Sequence, residues 1–139
     1  MTQKPGLEMH QWDQEGYQPL VFFAGWQVAL LNWEPVFDLQ NLGEIERHCH
    51  TDEVFVLLKG KAVLFTIDAE GNLNAEDMLP NTIYNVTQGS WHNLISTRDA
   101  AWIIVENRDT HLGDTEFRQM KDGERTLLFS LLPDWAVPG

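Results

Sequence analysis

Apolar residues occur along the chain in short runs that are rich in valine, isoleucine, leucine, phenylalanine and tryptophan. Glycine, asparagine and aspartate separate these runs at intervals of about ten residues, which is a typical spacing of turns between strands. Branched and aromatic side chains favour strands over helices at these lengths. The predicted strands are 20–31, 36–39, 53–58, 62–67, 82–86, 91–95, 101–106 and 126–132. So many short strands predict an all-β sandwich or barrel.

Two further stretches, 39–46 and 114–121, are compatible with short helices, although neither shows a sustained 3.6-residue period. The first sixteen residues are polar and are predicted to form an arm or an extra strand. We expect one domain over residues 1–139, with its core at about 20–132.

The composition excludes several classes of protein. The chain has 139 residues, of which 43% are hydrophobic, and this is typical of one globular domain. Nine basic residues face 21 acidic ones, a net charge of −12, which argues against nucleic-acid binding and adhesion to anionic membranes. A single cysteine, Cys49, excludes a disulfide framework and a multi-thiolate zinc site. The start of the chain has no apolar core of a signal peptide, so a cytoplasmic location is expected.

Histidines and glutamates cluster in one segment just before the run at 53–58. Residues two apart on a strand share a face, so Glu46, His48 and His50 are expected to point the same way. A tight turn after His50 would bring Glu53 back alongside on the next strand. If the strand that carries His92 is a neighbour, imidazoles and carboxylates converge there. This donor set is typical of a divalent metal site.

The same residues resemble the two sequence motifs of the cupin superfamily, small barrels of the double-stranded β-helix type. In the first motif, His48, Glu53 and Gly60 match the second histidine, the glutamate and the last glycine. In the second motif, Gly89 and His92 match the second glycine and the histidine. The run from Thr51 to Gly60 is also similar to that of compact bacterial members of the superfamily.

Half of the motif positions differ from the cupin pattern. Glu46 stands where the first histidine is expected, and Thr87 and Ser96 replace the proline and the asparagine of the second motif. Gln40 and Asn81 occupy the positions of the two opening glycines. The resemblance therefore implies an all-β, jelly-roll-like cupin barrel in which three of the four usual metal ligands are kept.

Four arrangements of the site stay open on these residues. Glu46 completes a set of two histidines and two carboxylates, or His50 replaces it. His48, Glu53 and His92 alone form a three-donor face like that of non-haem iron oxygenases, or no metal binds. The resemblance and the donor types indicate a divalent ion, which is Mn, Fe, Ni or Zn.

The resemblance implies two functions. In the first, the metal assists isomerase, lyase or oxygenase chemistry on a small polar metabolite, such as a sugar, a sugar acid or a keto acid, with Glu53 as the catalytic carboxylate. In the second, the barrel binds a small molecule without catalysis, because its metal motif is degenerate. A homodimer is expected under either function, since edge strands of small barrels often pair between protomers.

Overall fold

Two antiparallel five-stranded sheets form the body of the protein. The structure is a computed structural model that describes residues 2–137. Its strands are β1 (Thr2–Lys4), β2 (Leu7–Met9), β3 (Gly16–Phe23), β4 (Trp26–Asn32), β5 (Glu44–Arg47), β6 (Glu53–Lys59), β7 (Ala62–Ile67), β8 (Leu73–Asp77), β9 (Tyr84–Val86), β10 (Trp91–Ser96), β11 (Ala101–Asn107) and β12 (Glu116–Gln119). Its helices are α1 (Thr110–Gly113) and α2 (Asp122–Leu131), with 3-10 turns at Pro35–Phe37, Leu39–Asn41 and Asp134–Ala136.

The strand order explains how the chain closes around a cavity. One sheet has the order β12-β5-β10-β7-β8, and the facing sheet has the order β3-β4-β11-β6-β9. The chain crosses from the first sheet to the second between β5 and β6, and it returns between β6 and β7. This alternation confirms the predicted all-β, jelly-roll type of barrel. Strands β1 and β2 form a separate hairpin in the segment expected to be an arm.

Apolar side chains fill two layers. The first lies between the sheets and includes Trp102, Ile104 and Leu57, which are almost completely buried. The second lies on the outer face of the sheet that contains β7, where Phe65 packs in one cluster with Leu128 of α2. Because β7 contributes to both layers, its sequence is apolar on both faces.

Some predicted elements were wrong. The predicted strand at 126–132 falls mostly in α2, and the one at 36–39 falls on 3-10 turns. The run at 20–31 contains parts of β3 and β4, because Ala24 and Gly25 form a turn between them. The helix-compatible stretches 39–46 and 114–121 contain most of β5 and all of β12, which pair with each other.

Helix α2 forms because its start is well capped and one face is buried. The carboxylate of Glu124 accepts a hydrogen bond from the backbone N–H of Lys121 at 2.8 Å, and it also pairs with both terminal nitrogens of Arg118. Acidic groups in the first turn are favoured by the helix dipole. Leu128 is completely buried, whereas Leu127 and Phe129 on either side are about half exposed. The sequence of this stretch is a short apolar run, and for this reason it was predicted as a strand.

Within residues 2–137, no helix has the length and the apolar character needed to cross a membrane.

Gly60, in the turn between β6 and β7, is expected to be much less replaceable than other glycines. Its φ is +77°, and an added Cβ would lie 2.7 Å from the Cα of Ala100. Gly71 has a similar φ of +84° but no atom within 4 Å of the added Cβ. Gly71→Ala should therefore lower the free energy of unfolding by about 1 kcal/mol, the cost of a left-handed backbone alone. Gly60→Ala should lower it by about 3 kcal/mol, since the backbone of Ala100 must also move. Urea unfolding measures both losses, and equal losses would contradict this account.

Candidate metal centre

Three neighbouring strands of one sheet each carry a polar residue on the face that points into the barrel. On β11 the inward residues are Trp102, Ile104 and Glu106, and Glu106 lies opposite Glu53 of β6 and Gln27 of β4. Glu106, Glu53 and Gln27 are 5%, 3% and 0% exposed. The interior of the barrel is therefore apolar along most of its length and polar at one end.

The facing sheet supplies the histidines. Glu46 of β5 pairs in register with His92 of β10, and His48 follows the end of β5. Glu53 was expected alongside these residues on an adjacent strand, but β6 belongs to the opposite sheet. The expected convergence is thus reached across the interior of the barrel.

One carboxylate oxygen joins the two imidazoles. Oε1 of Glu53 lies 2.8 Å from Nε2 of His92 and 3.1 Å from Nε2 of His48. Oε1 of Glu46 lies 3.6 Å from the same nitrogen of His92. His48 and His92 are 6% and 2% exposed, so this contact is shielded from bulk water.

The other nitrogen of each ring is fixed by a backbone carbonyl. Nδ1 of His48 donates to the carbonyl of Asp114 at 2.8 Å, and Nδ1 of His92 donates to that of Ser90 at 3.1 Å. Because a carbonyl only accepts, Nδ1 carries a proton in both rings. Nε2 of each ring is therefore the atom presented to Glu53, and this is the usual arrangement of metal-binding histidines.

Two aspartates hold the loop between β5 and β6 that places His48. The carboxylate of Asp114 accepts the backbone N–H groups of Cys49 and His50, both at 2.9 Å. Asp52 accepts the backbone N–H of Gln88 at 2.9 Å. These contacts tie the loop to the segment that precedes His92 and to the one that precedes β12.

The proximity of Glu53 controls the protonation of both histidines. Burial by itself lowers the pKa of His48, but the hydrogen bond and charge of Glu53 outweigh it and raise this pKa to about 9. The same balance raises the pKa of His92. Burial favours the neutral form of Glu53, yet the two histidine hydrogen bonds hold its pKa well below the ordinary value. In the absence of a cation these shifts favour an ionised Glu53 between two protonated rings.

Glu46 forms the open side of the centre. Its side chain is 35% exposed, whereas that of Glu53 is 4% exposed. Burial raises the pKa of Glu46, and the charge of Glu53 adds to this rise, whereas the charges of His92 and His48 oppose it. It lies on the wall of a cavity of about 380 Å³, which also contacts Phe55 and Phe117. A small molecule entering this cavity would meet Glu46 before Glu53.

His50 lies apart from this cluster. Its side chain is 82% exposed, and its Nδ1 contacts Oδ1 of Asp114 at 3.1 Å. His50 falls in the loop after β5, so the strand alternation that would have aligned it with His48 does not apply. The group whose ligand atoms all lie within 4.8 Å of one another is Glu46, His48, Glu53 and His92.

The sequence patterns did not single out Glu106, which lies beside this group. Its Oε2 is 3.8 Å from Nε2 of His48, and its Oε1 accepts a hydrogen bond from the hydroxyl of Tyr17. Burial and the charge of Glu53 raise the pKa of Glu106 to about 8. The sequence contains one signal for Glu106. Every second residue of β11 faces inward, and Glu106 continues the series of Trp102 and Ile104.

The donors fit a divalent cation. Two atoms bound to one such ion at about 2.1 Å lie at most about 4.2 Å apart, and this group needs only a slight contraction to meet that limit. Two imidazole nitrogens and two carboxylates suit a first-row divalent metal. Nε2 of each ring already points at a shared oxygen of Glu53. A cation bound between the two nitrogens and that oxygen would replace the second proton of each ring.

Comparisons with known proteins agree with this architecture. No protein-family model matches the chain, and no curated protein matches it by sequence. Among solved structures, it is similar to a cupin-2 domain containing protein from Shewanella frigidimarina. That match has 20% identity and a TM-score of 0.52, and it covers 70% of this chain and 85% of the other. The protein has the cupin fold.

Two further solved structures are similar to this chain. A Bacillus halodurans protein matches with 16% identity and a TM-score of 0.55, over 68% of this chain and 71% of the other. A variant of oxalate decarboxylase from Bacillus subtilis matches with 14% identity and a TM-score of 0.51, over 66% of this chain. The match covers only 24% of the decarboxylase chain. Identities this low show a common fold and not a common activity.

The metal-free protein is expected to lose stability as the pH rises from about 6.5 to about 9. The folded state holds the second proton of His48 up to the higher value, whereas an unfolded chain releases it at the lower one. The carboxylates of Glu53 and Glu46 face this ring and keep the proton on it.

Urea unfolding after treatment with a chelator measures this decline. In the variant His48→Asn, stability should decline less over the same pH range. Part of the decline should remain, because the pKa of His92 is also raised. The same slope in both proteins would contradict the assignment of the proton to His48.

Proposed function

We propose that this cupin binds one divalent metal ion and uses it to act on a small polar molecule. The observation that carries the proposal is the convergence of four donor residues at one end of a cavity. Their ligand atoms lie within 4.8 Å of one another. The proposed ligands are Glu46, His48, Glu53 and His92. His50 is left out, because its exposed ring lies outside this group.

The chemistry follows from the type of site. A divalent ion polarises a carbonyl group or chelates a hydroxy-carbonyl compound, and it lowers the energy of negative charge that develops on oxygen. This supports isomerase, lyase or oxygenase chemistry as the proposed class. The metal is proposed to be Mn, Fe, Ni or Zn, and the two carboxylates favour the harder ions of this set.

Two carboxylates are placed to move a proton of the bound molecule. Glu53 lies at the centre, and the proposal keeps it as the catalytic carboxylate. Glu46 takes this role if its own carboxylate is not bound to the metal, and it is the more exposed of the two. The wall of the cavity supports binding of the carbon skeleton through Phe37, Phe55 and Phe117.

The charge of the cavity favours a neutral molecule among the proposed substrates. Among the described residues, its ionisable lining is formed by four glutamates, three histidines and one tyrosine. These are Glu34, Glu44, Glu46, Glu53, His48, His92, His111 and Tyr17. Two of the glutamates balance a divalent ion, and Glu34 and Glu44 leave an excess of negative charge. Because this field repels anions, we propose a sugar or another neutral hydroxy-carbonyl compound ahead of a sugar acid or a keto acid.

Metal binding is tested by elemental analysis of protein purified without chelators. The wild-type protein should carry near-stoichiometric metal, and the His48→Ala/His92→Ala double variant should lose most of it. Glu46→Gln should weaken binding about tenfold, because it removes one charged donor. His50→Ala is the matched control and should keep the metal. Metal content that is unchanged in the double variant would refute the proposed site.

A thermal-shift assay of the same protein distinguishes this function from simple ligand binding. Stabilisation by divalent ions in a thermal-shift assay, lost with EDTA, supports the metal-dependent function. Stabilisation by organic ligands in the presence of EDTA supports a non-catalytic binding protein instead. The apolar wall of the cavity, which includes Val36 and Phe37, is the feature that would serve such a protein.

The preference for neutral molecules is tested with a sugar and the sugar acid of the same carbon skeleton. Calorimetric titration of metal-loaded protein should show several-fold tighter binding of the sugar, since the acid meets the charge of Glu34. Glu34→Gln should narrow this difference. Glu70→Gln removes an equal charge from an exposed turn and should leave the difference unchanged. Tighter binding of the acid to the wild-type protein would contradict the prediction.

A further inference from the structure

We infer that Glu106 is a fifth ligand of the same metal ion, so that the centre has two histidines and three carboxylates. This inference rests on the proposed metal-binding function and extends it. It assigns a role to a residue outside the group of four donors described above.

One oxygen of Glu106 is buried without a partner and lies near the proposed ligands. Oε1 is held by the hydroxyl of Tyr17, whereas Oε2 is buried and has no hydrogen-bond partner among the described residues. Glu106 is 5% exposed, so bulk water does not compensate this oxygen. A buried polar atom without a partner costs about 1–3 kcal/mol, and more if it is charged. Its nearest basic group is Nε2 of His48, at 3.8 Å. Donors on one ion commonly lie roughly 3 to 4 Å apart.

Two acidic residues also pair across adjacent strands. Glu106 of β11 lies directly opposite Glu53 of β6, and both side chains are buried. Like charges in such cross-strand positions destabilise a sheet. A cation shared by the two carboxylates removes this repulsion and also supplies the missing partner of Oε2. A cation bound by both carboxylates is therefore one physical reason for this pair, in addition to the two histidines that already contact Glu53.

Contacts within the protein hold Glu106 in place without an ion. The amide of Gln27 donates to the hydroxyl of Tyr17 at 2.8 Å, and the carbonyl oxygen of Gln27 accepts the backbone N–H of Asp109 at 3.0 Å. Gln27 is completely buried, which restricts this chain of contacts to one arrangement. Tyr17 thus fixes one oxygen of Glu106 and leaves the other turned toward His48. Such outer contacts are typical of metal-ligating carboxylates.

The experiment measures metal affinity, so it does not depend on an assay of activity. Protein freed of metal with a chelator is titrated with Mn²⁺, and the free ion is followed by electron paramagnetic resonance. Zn²⁺ affinity is measured in parallel by competition with a chromophoric chelator. The variants are Glu106→Gln and Tyr17→Phe, with Glu70→Gln as the control for the loss of one negative charge on an exposed turn.

Glu106→Gln should weaken Mn²⁺ binding at least tenfold, and it should lower the ratio of Mn²⁺ to Zn²⁺ affinity, because a hard charged oxygen is lost. Tyr17→Phe should weaken Mn²⁺ binding a few-fold, since Glu106 is then held less firmly. A purely structural role of Glu106 would not change the ratio of the two affinities. Affinity and ratio equal to those of Glu70→Gln would overturn the inference and leave the proposed function intact.

Two further results of the titration can be told apart from those above. If the wild-type protein binds neither ion, the proposed function fails and the inference fails with it. If Glu106→Gln does not fold, a crystal structure of the wild-type protein with Mn²⁺ decides the question. Oε2 of Glu106 bound to the ion would support the inference, and an ion held without Glu106 would overturn it.

Discussion

The contact of one carboxylate oxygen with two imidazoles is the constraint on which the polar end of the barrel depends. A buried carboxylate is unfavourable unless it is paired, and the partners of Glu53 come from the opposite sheet. The two sheets must therefore keep a fixed separation at this end. The loops that carry His48 and the segment before His92 are tied by Asp52 and Asp114, and this keeps both rings in reach of Glu53. Removing Glu53 would leave two buried imidazoles without their shared carboxylate.

Much of the fold could be predicted because strand-forming residues and turns alternate regularly. The strands β6, β7, β10 and β11 were predicted to within about one residue at each end, since their apolar runs end at clear turn residues. Helix α2 could not be distinguished from a strand by composition. Its character depends on Glu124 and Arg118, which cap its start, and on an outer core that only the folded sheet provides.

The candidate site was predictable in its members more than in its geometry. The resemblance to the cupin motifs selected His48, Glu53 and His92, and the structure brings their side chains together. Local spacing cannot show which sheet a strand joins, so Glu53 was expected beside His48 and lies across from it. Spacing also cannot show where a strand ends, and for this reason His50 was considered together with Glu46. Glu106 comes 53 residues after Glu53 in the chain, and the pairing of β11 with β6 places the two side by side.

The division of the barrel interior into an apolar part and a polar end has a consequence for how this chain can change. Trp102 and Leu57 pack far from the ionisable groups on the same strands, and Glu106 and Glu53 stand at the other ends of those strands. Substitutions in the apolar part alter the stability of the scaffold while leaving the reactive groups in position. Substitutions at the polar end, or in the loops around it, change the donors of the candidate metal centre instead. The stability of the scaffold and the composition of this centre thus depend on separate portions of the same strands.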